Sequence, residues 1–398
     1  MVTIEYRCAD GTPFPVTFRD ADDATRRWRC EREHGREPQT PMAAALVHLG
    51  LPGAERAHTE VGLVLPPTFR PGPEASGFAY FVDGGLPADV LNVMFTGCAQ
   101  LVERHGSALR IWHDHCLPAV KACCDQLDAA GDEVSLQALA ELQHYGMQLT
   151  MIPAFVCGND LDLLTATCRD AVGEEAATLV ASELTQGYAN ETLRADDDLW
   201  RLGRSAAAGP RVAAALLADD PAAAMATLRA DGAEPAFFAE LDAFLDEWGG
   251  RCESWDIACP TWREQRGGFW SQLRQMAADD VPPPRLALER GAKRREALAA
   301  DVDDRLAGDP ATQARFRRRL ARVADYVAVR EERARWQLVL AGSLRSALLR
   351  RGRGLARRGV IADAEDILFL LPAEVEAGEG ELGPLVASRR AAHERWRT

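Results

Sequence analysis

The 398-residue chain carries 60 acidic against 46 basic residues, a formal charge of −14, which repels phosphate backbones and anionic lipid surfaces. Its hydrophobic content of 47% suits buried cores, and no apolar run approaches the roughly 18 residues of a membrane span. Nucleic acid and membrane are therefore excluded as expected partners. No basic stretch followed by an apolar core marks a leader, so the expected compartment is the cytoplasm. The ten cysteines, mostly among apolar neighbours, read as reduced thiols.

Along the chain, VTIEYRC and PFPVTFR alternate apolar and polar residues around the turn Ala9-Asp10-Gly11-Thr12 and predict a β-hairpin. DADDATRRWRCEREHG predicts a short helix carrying Trp28 and His34, and Pro38 and Pro41 bracket a second helix start. The proline-rich stretch LVLPPTFRPGPEASG reads as an extended linker or lid, and GFAYFVDGG as a short strand.

From Pro87 helical periodicity dominates. One helix is expected from Pro87 to Cys116, with His105, Leu109, Trp112 and Cys116 on a stripe and Pro118 ending or kinking it. Further helices are expected at 135–151, 159–171, 173–186, 190–206, 210–218, 221–230, 235–248 and 268–278. After the prolines at 282–284 come long Arg-rich amphipathic helices at 286–306, 310–352 and 352–359. The expected fold is mainly α: a small N-terminal α+β element with its linker (1–75), a helical body (76–284) and a C-terminal layer of long antiparallel helices (285–398).

Nucleotide chemistry needs backbone amides converging on phosphates from a glycine-rich turn. Neither G-x-x-x-x-G-K-[ST] nor G-x-G-x-x-G occurs, and H-E-x-x-H, G-x-S-x-G and paired C-x-x-C motifs are missing too.

Three polar clusters remain. RHGSALRIWHDHC holds Arg104, His105, Trp112, His113 and His115. On an α-helix His113 and His115 diverge by about 200°, so they do not grip one metal together, but one of them can share a cavity with His105 as acid, base or phosphate partner. In ANETLRADDDLWRL, Asn190 and Glu191 stand at a helix start, followed by Asp196, Asp197 and Asp198. That triplet reads first as a solvated face and second as a poorly spaced version of the Asp-rich helices that bind Mg²⁺ and prenyl diphosphates.

WGGRCESWDIACPTWREQRGGFW packs Arg251, Glu253, Asp256, Arg263 and Glu264 among Trp248, Trp255, Trp262 and Trp270. Such a loop is either a buried joint held by ion pairs or the wall of an aromatic ligand pocket. Both remain open from sequence.

At this loop, through Gly250, Arg251, Glu253, Asp256, Pro260, Trp262 and Glu264, the sequence resembles the central region of the phosphoenolpyruvate-utilising phosphotransferases. This is the group of phosphoenolpyruvate synthase, rifampicin phosphotransferase and phenylphosphate synthase. NETLRADDDLWRLGR resembles the family's N-[ET]-x-x-x-A-x-x-x-L helix, and YVAVREERARWQLVL through ADAEDILFLLPAEV resembles its R-E-x-x-R helix and [ED]-D-[IV]-F-[FY]-L turn. The likeness covers about residues 75–398, and WRCEREHGREPQTP resembles the start of shorter relatives.

The resemblance implies an acceptor-substrate region whose phosphate comes from a histidine on a mobile domain charged by an ATP-grasp module. Neither module is recognisable here, and His393 lacks the small-residue setting of such a histidine. The implied role is to hold a hydroxyl of a small aromatic or polyketide-like metabolite, with dehydration as an extension. On this reading Arg251, His105, His113 and Asp256 are catalytic, and Arg104, Trp112, His115, Asn190, Trp248, Glu253, Trp255 and Trp262 bind substrate. Arg251 neutralises the transferring group, and His105 or His113 takes the hydroxyl proton. No cofactor binds this chain alone, ATP enters only through ATP-grasp and phosphohistidine-domain partners, and Mg²⁺ is left open. The alternatives are a stand-alone cyclase or lyase on a small hydrophobic substrate and a non-catalytic binding protein.

Overall fold

The computed structural model describes residues 2–18, 20–30, 37–63, 77–78, 80–82, 88–157, 160–252, 254–265, 267–278 and 280–397. As the alternation requires, β1 (Val2–Arg7) and β2 (Pro13–Phe18) form an antiparallel hairpin with Val2 opposite Phe18. Gly11 supplies φ +84 at its turn, and Asp10 Oδ1 accepts from the Thr12 amide at 2.9 Å.

The helix expected next stops early. Asp20 caps a five-residue α1 (Ala21–Thr25), and Trp28–Cys30 becomes β3, paired antiparallel with β4 (Tyr80–Val82). The Trp28 indole donates to the Asp23 carbonyl at 2.9 Å, and Trp28 packs with Phe14, Val16 and Tyr80. Pairing with a distant strand thus overrides local helix propensity. His34 and most of the proline-rich stretch lie outside the described residues.

α2 (Pro41–Leu49) starts on a Thr40 cap with proline at its first position, and α3 (Leu51–Glu60) follows at once. α4 (Ala88–His105) ends where one longer helix was expected to continue, because Gly106 adopts φ +89 and Ser107 caps a new start by accepting from the Arg110 amide. α5 (Ala108–Arg110) then runs through a π-helical turn, Ile111–Cys116, straight into α6 (Leu117–Ala129). Pro118 does not end this helix. The Leu117 amide reaches five residues back to the Trp112 carbonyl, and the widened turn makes room for a ring that would collide with the carbonyl four residues back.

α7 (Leu136–Cys157) is followed by the hairpin of α8 (Asp160–Val172) and α9 (Glu174–Glu183). α10 (Glu191–Ala208), α11 (Pro210–Leu216), α12 (Pro221–Ala230), α13 (Pro235–Trp248) and α14 (Gly267–Ala277) follow, three of them opening on proline. α15 (Pro284–Arg305) returns against α16 (Pro310–Arg357), 48 residues long. The break expected at residue 352 is absent: Gly352 stays helical, its missing side chain letting the Ala364 carbonyl lie on the helix. A 3₁₀ turn (Ala364–Phe369), α17 (Pro372–Ala377) and α18 (Gly383–Arg397) end the chain.

The fold is mainly α, and α16 organises it. Its C-terminal half joins a core built with α2, α6 and α7 around Trp112, Val120, Leu136 and Ile152. Its N-terminal part joins α8, α9 and α15 around Leu164, Val302 and Phe316. A third core, from α10 to α14, holds Phe244, Trp248, Trp262 and Trp270. Burial of these apolar faces at ~25 cal/mol per Å² drives the packing. No helix among the described residues is long and apolar enough to cross a membrane.

Candidate functional site

The tryptophan-rich loop is a joint between α13 and α16. Gly250 lays its carbonyl on Gly342, where a Cβ would come within 2.0 Å of that oxygen, and the Cys252 amide donates to the Leu338 carbonyl at 3.2 Å. Gly342→Ala is expected to destabilise by about 1–3 kcal/mol through overpacking, measured as a lower urea midpoint at an unchanged m-value.

Trp248 is 2% exposed and lies between two guanidinium groups, Arg335 at 4.2 Å and Arg194 at 4.7 Å from its ring centroid. Its indole donates to Asp198 Oδ2 at 3.0 Å, and Arg335 pairs with Glu191 at 2.6 Å and Glu247 at 3.1 Å. Trp262 is 3% exposed, stacks on Phe244 at 5.6 Å and carries Arg251 over its ring at 4.3 Å. Trp248 and Trp262, expected to line a ligand pocket, are instead parts of a packed core, because aromatic faces capped by arginine bury more completely against protein than against an open cavity.

Arg251 thus sits against Trp262, beside Asp196, whose carboxyl is pushed up by burial and drawn back by that guanidinium. Asp256 accepts from the Ala258 amide at 2.8 Å, and burial pushes its carboxyl up as well. Trp255 is half-buried, and Glu253 lies outside the described residues. Asn190 uses both ends of its amide locally: Oδ1 accepts from the Leu193 amide at 2.9 Å, and Nδ2 donates to the Tyr188 carbonyl at 3.2 Å. It is a helix cap in this structure.

The hub of the joint is a residue that the spacing of motifs did not single out. Arg345 is 0% exposed; it grips Glu264 with two parallel hydrogen bonds of 2.8 and 2.9 Å, meets Glu365 at 2.5 Å and donates to the carbonyls of Ile257 and Ala258. Two stretches that resemble family motifs, one ending in Glu264 and the other holding Glu365, therefore converge on one buried guanidinium. Their sequence signal is structural.

The histidine cluster is divided between two walls. His105, at the end of α4, and His115, in the π turn, touch edge to face at 4.1 Å between centroids. Burial first, and then the neighbouring His115 and Arg104, pull the His105 pKa down. Arg104 is exposed and donates to the Val61 carbonyl at 3.2 Å. His113 points elsewhere, towards α16, where its Nε2 lies 3.3 Å from Glu332 Oε2. The fully buried Trp112 donates its indole N–H to the same oxygen at 2.9 Å. Glu332 is held by one neighbour and holds the next.

A cleft of about 250 Å³ runs along α16 beside the joint, lined by Asp128, Asp246, Gly250, Trp336 and Ser343 among others. Among the described residues no three His, Cys, Asp or Glu side chains group as metal ligands would.

The fold is a helical domain whose long helix α16 joins two of the three cores and carries Glu332, the carboxylate that meets His113 of the π turn. Residues 150–331 match the rifampicin phosphotransferase fourth domain, so the chain contains a rifampicin phosphotransferase-like domain. It is also 24% identical over 410 aligned positions to the chondramide synthase cmdD of Chondromyces crocatus, which covers 96% of this chain and 10% of the synthase. The chain thus spans about a tenth of that relative's length.

Proposed function

We propose that this chain is the acceptor-substrate unit of a phosphotransferase-like enzyme and that His113 takes the proton from the acceptor hydroxyl. The observation that carries the reading is the Trp112–Glu332–His113 chain. A carboxylate fixed by an indole N–H favours the tautomer in which His113 Nε2–H donates to Glu332, leaving Nδ1 with a lone pair for a hydroxyl proton. The acceptor oxygen then attacks phosphorus, the P–N bond of a partner's phosphohistidine breaks, and that imidazole leaves with the bond's electron pair. ATP, and Mg²⁺ with it, enter at an ATP-grasp partner in the cytoplasm. Arg251, stacked on Trp262, steadies the joint in this reading. The likeness to part of a synthase supports a small metabolite as the acceptor.

The test is transfer to a panel of phenols and alcohols with the chain, a phosphohistidine-domain protein and an ATP-grasp protein, each omitted in turn. Product is expected only from the complete mixture, and turnover by this chain and ATP alone would sink the reading. Glu332→Gln is expected to lower kcat by about tenfold with little change in KM.

A further inference from the structure

Several arginines of α16 meet a carboxylate: Arg322 meets Asp160 at 2.9 Å, Arg330 meets Glu331 at 2.7 Å, and Arg335 and Arg345 make the pairs described above. Arg333 differs. It is half-buried, its Nε is sealed from solvent without a partner, and its hydrogen bond is to a weak acceptor, the Met151 sulfur, at 3.6 Å from Nη1. That sulfur already receives Gln337 Nε2 at 3.2 Å. Among the described residues no carboxylate lies within ion-pair distance of Arg333, and burial pulls its pKa below the usual guanidinium value.

A desolvated guanidinium without a counter-charge works against folding. Its planar fork of N–H donors matches two oxygens of one carboxylate or phosphate group. Arg333 also has a telling position: it reaches towards α7, while the preceding residue, Glu332, reaches to the π turn and His113.

We infer that Arg333 anchors an oxyanion subsite, which holds a carboxylate or phosphate-ester group carried by the small molecule this domain binds. The link to His113 rests on the acceptor-site reading above; the anion site itself stands on the isolated guanidinium.

Calorimetry on the full chain with benzoate, phenyl phosphate, inorganic phosphate and neutral benzyl alcohol tests this. Benzoate or phenyl phosphate is expected to bind and benzyl alcohol is not, the tighter anion telling carboxylate from phosphate ester. Arg333→Met is expected to weaken that binding by about tenfold or more. Without ligand the variant is expected to melt no lower than the parent, because it loses an unpaired charge; a clearly lower Tm would instead mark a structural arginine and overturn the proposal. So would anion affinity unchanged in Arg333→Met, failure of both organic anions to bind, or inorganic phosphate binding as tightly as either. His113→Asn is expected to keep anion affinity while losing transfer, so that failure of the catalytic reading and failure of this subsite are told apart.

Discussion

Arg345→Met is expected to lower the unfolding free energy by about 3–5 kcal/mol, the range for removing one partner of a buried ion pair. The fully buried guanidinium answers Glu264, Glu365 and two carbonyls, so its loss takes the cation from two carboxylates and a donor from two carbonyls at once. Against a total stability of about 5–15 kcal/mol this is enough to unfold a marginal domain. Arg345→Lys is expected to rescue little, since an ammonium cannot reproduce the two parallel bonds to Glu264. Replacing the three together, Arg345→Met with Glu264→Gln and Glu365→Gln, is expected to recover part of the loss. Urea melts of the single, conservative and triple variants measure this, and a triple variant no better than Arg345→Met would show that packing of the stem, not charge, holds the joint.

His113→Asn is expected to lower transfer by about 10²–10⁴-fold, the usual contribution of a positioned general base. Asn keeps a polar side chain at an exposed position, so folding is expected to change little; circular dichroism and Tm check that. The loss is expected in kcat, because the proton moves only as the acceptor oxygen attacks. His105→Asn is the control. His105 touches His115 and lies on α4, away from the Glu332 pair, and its replacement is expected to leave kcat within about twofold. Equal losses in the two variants would remove the distinction drawn between these histidines.

Much of the helical layout was legible because its signals are local. Proline at the first helical position marks the starts at Pro41, Pro210, Pro221, Pro235 and Pro310, and Asn190 and Asp309 cap the helices they precede. The errors have a common origin. The middle of the expected 20–35 helix became β3 because β4 was there to pair with it, the helix to Cys116 broke at a glycine with φ +89, and α16 ran on through Gly352 because Ala364 packs against it. Each outcome depends on a contact beyond the local window.

The site divides the same way. Periodicity alone placed His113 and His115 on different faces, and in the structure they do meet different partners, Glu332 and His105. Glu332 itself carried no signal, since it is one acidic residue in an Arg-Glu-rich helix and lies more than two hundred positions from His113. The tryptophans were visible as a cluster but not as core, because burial is a property of what surrounds a ring.

By itself, then, the sequence determined the mainly helical class, most helix starts, the position of the joint and the likeness to a phosphotransferase region, all of which follow from spacings of a few residues. Tertiary structure alone decided that the charges of the joint meet at Arg345, that Glu332 meets His113, and that Arg333 has no carboxylate partner among the described residues. Those outcomes require side chains distant in the chain to meet at about 3 Å, and only the packing of α7, the π turn and the loop onto α16 sets such distances.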